Sequence, residues 1–137
     1  MPVLLYGSIA GTSGVSEVTI TGEHIEAVRP APAGAPASDL IIAPGFFDIQ
    51  INGYGGCSLS GGDSTPDTLR YMTRALRQAG VLFFCPTLTT NSFENLQAAM
   101  RAVARARQDT EVAHAAPCIH LEGPYIARED GPRGAHA

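Results

Sequence analysis

Strand-like and helix-like stretches alternate along residues 46–121, and that alternation is what most restricts the fold. Three apolar runs, 46–52, 81–85 and 116–121, are short enough to be strands buried on both faces. Between the first two lies Thr65 to Ala79, which carries a full set of helix punctuation. Thr65 can cap the first turn, Pro66 suits the first helical position, and Asp67 lies at the positive end of the helix dipole. Leu69, Met72, Leu76 and Ala79 recur at helical spacing and predict one buried stripe. Gly80 suits a left-handed stop. A second helix is predicted from a Ser92 cap to about Gln108, with Leu96, Met100 and Val103 facing inward. Arg101, Arg105 and Arg107 are expected on its solvated side. The order strand, helix, strand, helix, strand predicts two right-handed β-α-β units built on a parallel sheet.

Residues 2–29 have a different texture. Val3-Leu4-Leu5-Tyr6, Val18-Thr19-Ile20 and His24-Ile25-Glu26-Ala27-Val28 are short β-prone runs separated by glycines. They predict a small antiparallel meander, followed by a Pro/Ala/Gly-rich connection over 29–38. About 40 residues bury too little surface to stand alone, so the meander is expected to need something to pack against. The domain reading is therefore 1–43 and 44–137.

Net charge is −4, all nine basic residues are Arg, and they form no cluster, which argues against nucleic acid as a partner. No apolar run has the length of a membrane span, and Met1 to Ala10 lacks the basic start of a secretory signal. A cytoplasmic protein is expected. Cys57, Cys85 and Cys118 are widely spaced, form no Cys-x-x-Cys pair, and read as buried free thiols in a reducing compartment.

The chemistry concentrates at His120-Leu121-Glu122-Gly123-Pro124, where an apolar run beginning at Ala113 ends in a carboxylate and a turn. A carboxylate is costly to bury unpaired, so Glu122 is expected to face a metal, a partner group or water. Most glutamates are simply solvated, so Glu122 gains weight only from what surrounds it. Asp48, Gln50 and Asn52 fall at period two on one face of the first strand. In an open sheet that face is wet; in a closed parallel barrel it lines the mouth. His120 reads as a satisfied core histidine of opposite strand phase to Glu122, and His114 carries no signal.

Taken together, several stretches resemble the N-acetylglucosamine-6-phosphate deacetylase family of the amidohydrolase superfamily. They are Ala43-Pro44-Gly45-Phe46-Phe47-Asp48, Gln50-x-Asn52-Gly53, Pro86-Thr87-Leu88-Thr89-Thr90, His120-Leu121-Glu122-Gly123-Pro124-Tyr125 and Gly134-Ala135-His136. The Pro-Gly-Phe-x-Asp stretch is common to the wider superfamily. Gln50-x-Asn52 and His-Leu-Glu-Gly-Pro are more specific. The resemblance implies an α/β fold: the first three strands and two helices of a (β/α)8 barrel, preceded by part of a small β-sandwich domain. It implies hydrolysis of the acetamide of N-acetylglucosamine 6-phosphate to glucosamine 6-phosphate and acetate. By resemblance, Glu122 matches the carboxylate ligand of one divalent metal ion, expected to be zinc. His136 matches a substrate-contacting histidine that polarises the carbonyl, and Ala135 lies beside it in the substrate site. Gln50 and Asn52 fall near the site. The family's further histidine ligands and its catalytic aspartate match no residue here. The resemblance also implies a small amino-sugar phosphate as partner and a homodimer for the full-length enzyme.

Two other readings compete. A dihydroorotase- or hydantoinase-like cyclic amidase would carry His-x-His where this chain has Gln50-x-Asn52, and amides are far poorer metal ligands than imidazoles. The chain can also be read as a non-catalytic fragment or interaction module, since family members run to more than twice its length.

Overall fold

The computed structural model describes residues 1–60, 64–134 and 136. They form two packing units, Met1–Pro44 and Gly45–Ala137.

The first unit is a four-stranded sheet. Strands β1 (Val3–Ile9), β2 (Val15–Thr21) and β3 (His24–Pro30) form the antiparallel meander, with β2 in the middle. A short β4 (Ile41–Ile42) pairs parallel to the outer side of β1. Two residues are too few to show a period, so this fourth strand is not legible in the sequence. Gly7 makes the pairing possible, since a Cβ there would lie 2.7 Å from the Leu40 carbonyl oxygen. With that space clear, the Ser8 amide donates to Leu40 at 2.9 Å and the Ala10 amide to Ile42 at 2.8 Å. The sheet builds almost no closed core of its own. Val18 is buried, while Leu4, Ile25, Val28 and Ile41 remain about half exposed or more. By register Ile25 and Val28 share the Val18 side with Val3 and Leu5, an apolar face of the kind a second layer covers, whereas Leu4 and Ile41 lie on the other side.

The second unit is mixed α/β. Strands β5 (Phe46–Ile51), β8 (Val81–Thr89) and β9 (His120–Glu122) form a parallel sheet with β8 at its centre. After β5 comes a small hairpin, β6 (Gly53–Tyr54) with β7 (Cys57–Ser58). Helix α1 (Pro66–Gln78) then leads back to β8, and α2 (Phe93–Ala106) follows β8. The helix punctuation works as the sequence indicates. The Thr65 hydroxyl accepts from the Thr68 amide at 3.1 Å, and Ser92 accepts from Asn95 at 3.2 Å. Gly80 takes φ +86 and stops α1. Leu69, Met72 and Leu76 of α1 are fully buried against Phe84 and Leu88 of β8 and Val103 and Ala106 of α2. The buried Thr73 hydroxyl is satisfied by the Leu69 carbonyl at 2.8 Å. No helix among the described residues is long and apolar enough to cross a membrane.

Phe84 has no exposed surface. Truncating a fully buried phenylalanine leaves a cavity as well as a lost transfer term. Phe84→Ala is therefore expected to cost about 3–5 kcal/mol, read as a lower denaturant midpoint. An unchanged midpoint would show that this core is not what holds the second unit together.

One expectation is corrected. The third strand does not begin at residue 116. Thr110–Ala115 forms a short helix, α3, and β9 starts only at His120. The apolar run from Ala113 was ambiguous because short buried helices and strands look alike in composition. The deciding signal was upstream. Asp109 caps α3, accepting from the Glu111 amide at 2.9 Å, and Val112 and Ala115 turn inward. Arginines of α1 then clamp it: Arg70 to Asp109 at 3.0 Å, Arg74 to Glu111 at 3.1 Å and Arg77 to Glu111 at 2.9 Å. The amide of Glu111, then the Arg70 guanidinium, hold the Asp109 carboxyl below its ordinary range.

The thiols also differ from expectation. Cys85 is buried, Cys57 is half-buried, and Cys118 is exposed. Burial first, then the hydrogen bond and the charge of Cys118, push the Cys85 thiol up to about 11. An unfolded chain would return that thiol to its ordinary 9.0. The folded form thus holds a proton that the unfolded form has lost between these values. Stability should fall as pH rises from 9 toward 11, and Cys85→Ala should remove that part of the slope in thermal melts.

Candidate functional site

The site lies at the C-terminal ends of the parallel strands, where β-α folds bring loops and strand ends together. Register places it there. Thr87 is opposite His120 and Thr89 opposite Glu122, so the last residue of β9 sits beside the end of β8. Glu122 is held by both carboxylate oxygens. Gln50 donates its side-chain amide to Oε2 at 3.0 Å, and His136 Nε2 lies 3.1 Å from Oε1. The side chains of Glu122 and His136 are 28% and 17% exposed, enough for solvent or a small ligand to reach them.

Thr90 completes the cluster. Its hydroxyl lies 3.0 Å from His136 Nδ1 and 3.2 Å from the Glu122 carbonyl oxygen. One hydroxyl hydrogen can serve only one of these. If Thr90 donates to Nδ1, His136 is neutral and its Nε2–H points at Glu122. If Thr90 donates to the carbonyl, its oxygen accepts from an Nδ1–H of His136. Gly123 makes the contact possible. It takes φ +92, and a Cβ there would fall 2.0 Å from the Thr90 oxygen. Any other residue at 123 would expel Thr90 from the cluster.

Thr90, Glu122 and His136 open onto a cavity of about 340 Å³, lined also by Asn52, Thr89 and Asn91. Glu122, His136, Gln50 and Asn52 are thus brought to one place. Ala135 lies outside the described residues. Asp48 does not join them. Its carboxylate accepts from the Gln50 amide at 2.9 Å, back along its own strand. The β5–β8 register shifts between Asp48 and Ile51, so the period-two face read from the sequence is not continuous. His120 is a further correction. Residues two apart on a strand share a face, so His120 has the same phase as Glu122. It is half-buried and lies 3.4 Å from the Thr87 hydroxyl. Sequence reading gave Thr90 no role, although the hydroxyl run Thr87-Leu88-Thr89-Thr90 at a strand end was the available signal.

As a cation site the donor set is partial. Glu122 offers a hard oxygen suited to a divalent ion. Among the described residues, however, no group of three His, Cys, Asp or Glu side chains could hold one, and catalytic zinc sites use about three protein ligands.

No protein-family model matches the chain. Individual relatives do. The chain is 39% identical over 101 residues to human N-acetylglucosamine-6-phosphate deacetylase, covering 70% of this chain and 23% of the relative. It is 40% identical over 95 residues to an N-acetylgalactosamine-6-phosphate deacetylase of a Shewanella strain, covering 69% of this chain and 23% of the relative. The chain thus spans about a quarter of the length of these curated relatives. In fold it is similar to the crystal structure of N-acetylglucosamine-6-phosphate deacetylase from Pasteurella multocida, with a TM-score of 0.74 at 24% identity over 98% of this chain and 38% of that one. The chain belongs to the N-acetylglucosamine-6-phosphate deacetylase family and corresponds to the N-terminal portion of such an enzyme.

Proposed function

We propose that this chain supplies the N-terminal portion of a metal-dependent amide hydrolase that releases acetate from N-acetylglucosamine 6-phosphate. Residues 1–43 are part of a β-sandwich domain, and residues 44–137 are the first three strands of a (β/α)8 barrel. The observation that carries the reading is the pairing of Glu122 with Gln50 and His136 at the strand ends, beside a cavity. Sequence kinship to sugar-phosphate deacetylases supports the same reading.

In this mechanism Glu122 is the carboxylate ligand of one divalent ion, zinc, and Gln50 fixes its orientation from the adjoining strand. When bound, such an ion supplies a strongly nucleophilic water at neutral pH and polarises the amide carbonyl. His136 donates from Nε2 to the acetyl oxygen, and Thr90 orients the ring through its contact with Nδ1. By family resemblance Ala135 is assigned to substrate binding. Asn52, on the same wall, offers a neutral hydrogen-bonding group. The remaining ligands and the catalytic aspartate come from sequence beyond the matched quarter. A cytoplasmic homodimer is the expected assembly.

A cyclic amidase is the weaker reading, because Gln50 and Asn52 stand where a binuclear site would need two imidazoles. The test is a chimera in which residues 1–137 replace the matching portion of a sugar-phosphate deacetylase. It should release acetate from the sugar phosphate and hold one metal ion per chain by elemental analysis. A content near two ions, with hydrolysis of dihydroorotate, would replace this reading with the cyclic one.

A further inference from the structure

Cys85 and Cys118 are 33 residues apart in sequence, yet their sulfurs lie 3.0 Å apart. The sheet register explains this. Thr87 is paired with His120 on the parallel strands β8 and β9. Two residues earlier, Cys85 lies within β8 and Cys118 lies in the segment just before β9 begins, which brings the two side chains together ahead of the first paired residues. Neighbouring strands run about 4.7–4.9 Å apart, which falls within the Cα separations, about 4.4–6.8 Å, that disulfides span. The two sulfurs need only close by about 1 Å to reach the bond length of about 2.05 Å. One thiol is exposed and the other buried, so a reagent reaches Cys118 first.

We propose that Cys85 and Cys118 are a reversible disulfide site that staples the entry of β9 to β8. Its co-reactant is a small-molecule disulfide such as oxidised glutathione. The Cys118 thiolate attacks one sulfur of that disulfide, forming a mixed disulfide and expelling one thiolate. Cys85 then loses its proton and attacks the Cys118 sulfur, expelling the second thiolate. Two protein thiols are oxidised, one external disulfide is reduced to two thiols, and the two protons pass to those thiols. The staple lies four residues before Glu122, just ahead of the strand that carries it. This site is independent of the deacetylase reading, since it requires neither metal nor sugar phosphate.

The experiment uses the 137-residue chain carrying Cys57→Ser, diluted until size exclusion shows a monomer and then equilibrated in glutathione buffers from reducing to oxidising. Free thiols should fall from two to none, and the intact chain should lose two hydrogens without gaining glutathione or a second chain. Arg77, Arg101, Arg107 and Arg128 place Cys85 and Cys118 on separate tryptic peptides, which should appear linked and separate again on reduction. Closing a loop of this length should raise the melting temperature by several degrees. With Cys85→Ser added, residue 118 should instead carry one glutathione. Independent glutathione adducts on both thiols, linkage between chains, thiols left free in the most oxidising buffer, or closure only in denaturant would each overturn the proposal.

Discussion

In the chimera carrying residues 1–137, Glu122→Gln should strip the metal and lower turnover by more than about 100-fold. The substitution keeps size and one acceptor oxygen but removes the charge that a divalent ion needs. Changing a group that merely supports a metal ligand typically costs about 10–100-fold in metal affinity or activity, so loss of a ligand should exceed that. His136→Gln should behave differently. It leaves the carboxylate in place, so the metal should stay, while turnover falls by roughly 100- to 1000-fold through loss of one donor to the developing oxyanion. The two variants therefore separate ligation from carbonyl polarisation. Full metal content and normal turnover in the Glu122 variant would take Glu122 out of the site. A His136 variant that lost its metal would make it a ligand instead of a donor.

Residues 1–137 purified by themselves should release no acetate and should self-associate. Glu122 cannot retain a catalytic ion alone, and the described residues offer no three-ligand group to help it. The sheet of the second unit ends in β5 on one side and β9 on the other, and unpaired parallel edges recruit other strands. Phe47, Ile49 and Phe83 are 51%, 69% and 44% exposed, with the rings of Phe47 and Phe83 edge-to-face at 6.1 Å. In a closed barrel such residues would face the opposite wall. Size exclusion at several concentrations, beside an acetate assay with added zinc, checks both parts. A monodisperse monomer with metal-dependent turnover would show that these residues contain a whole site after all.

Much of the second unit was legible because its signals are local. Thr65, Pro66 and Gly80 mark α1 within a single turn of its ends, and Leu69, Met72 and Leu76 mark its buried face. Those cues act between near neighbours, so no tertiary knowledge is needed to read them. The run Val81–Cys85 likewise reads as a strand from its shortness and the Gly80 before it, although Leu82 and Phe83 are exposed where burial on both faces was expected. Glu122 alone reads as a solvated carboxylate, and it gained weight from the stretches around it, Gln50-x-Asn52 and His120-Leu121-Glu122-Gly123-Pro124.

What only the tertiary structure decided was everything that depends on register between distant segments. Gln50 and Glu122 are 72 residues apart, and Thr90 and His136 are 46 apart. Their meeting rests on which residue of β8 lies beside which residue of β5 and β9, and no periodicity encodes that. The same holds for the Cys85–Cys118 pair and for β4, whose two residues pair with β1 because Gly7 lets the backbones approach. The segment 110–115 was decided by arginines of α1 clamping Asp109 and Glu111, contacts some 40 residues long in sequence. Local chemistry fixed which segments could be helix or strand. The pairing of strands, set by burial across the whole unit, chose among them and built the site.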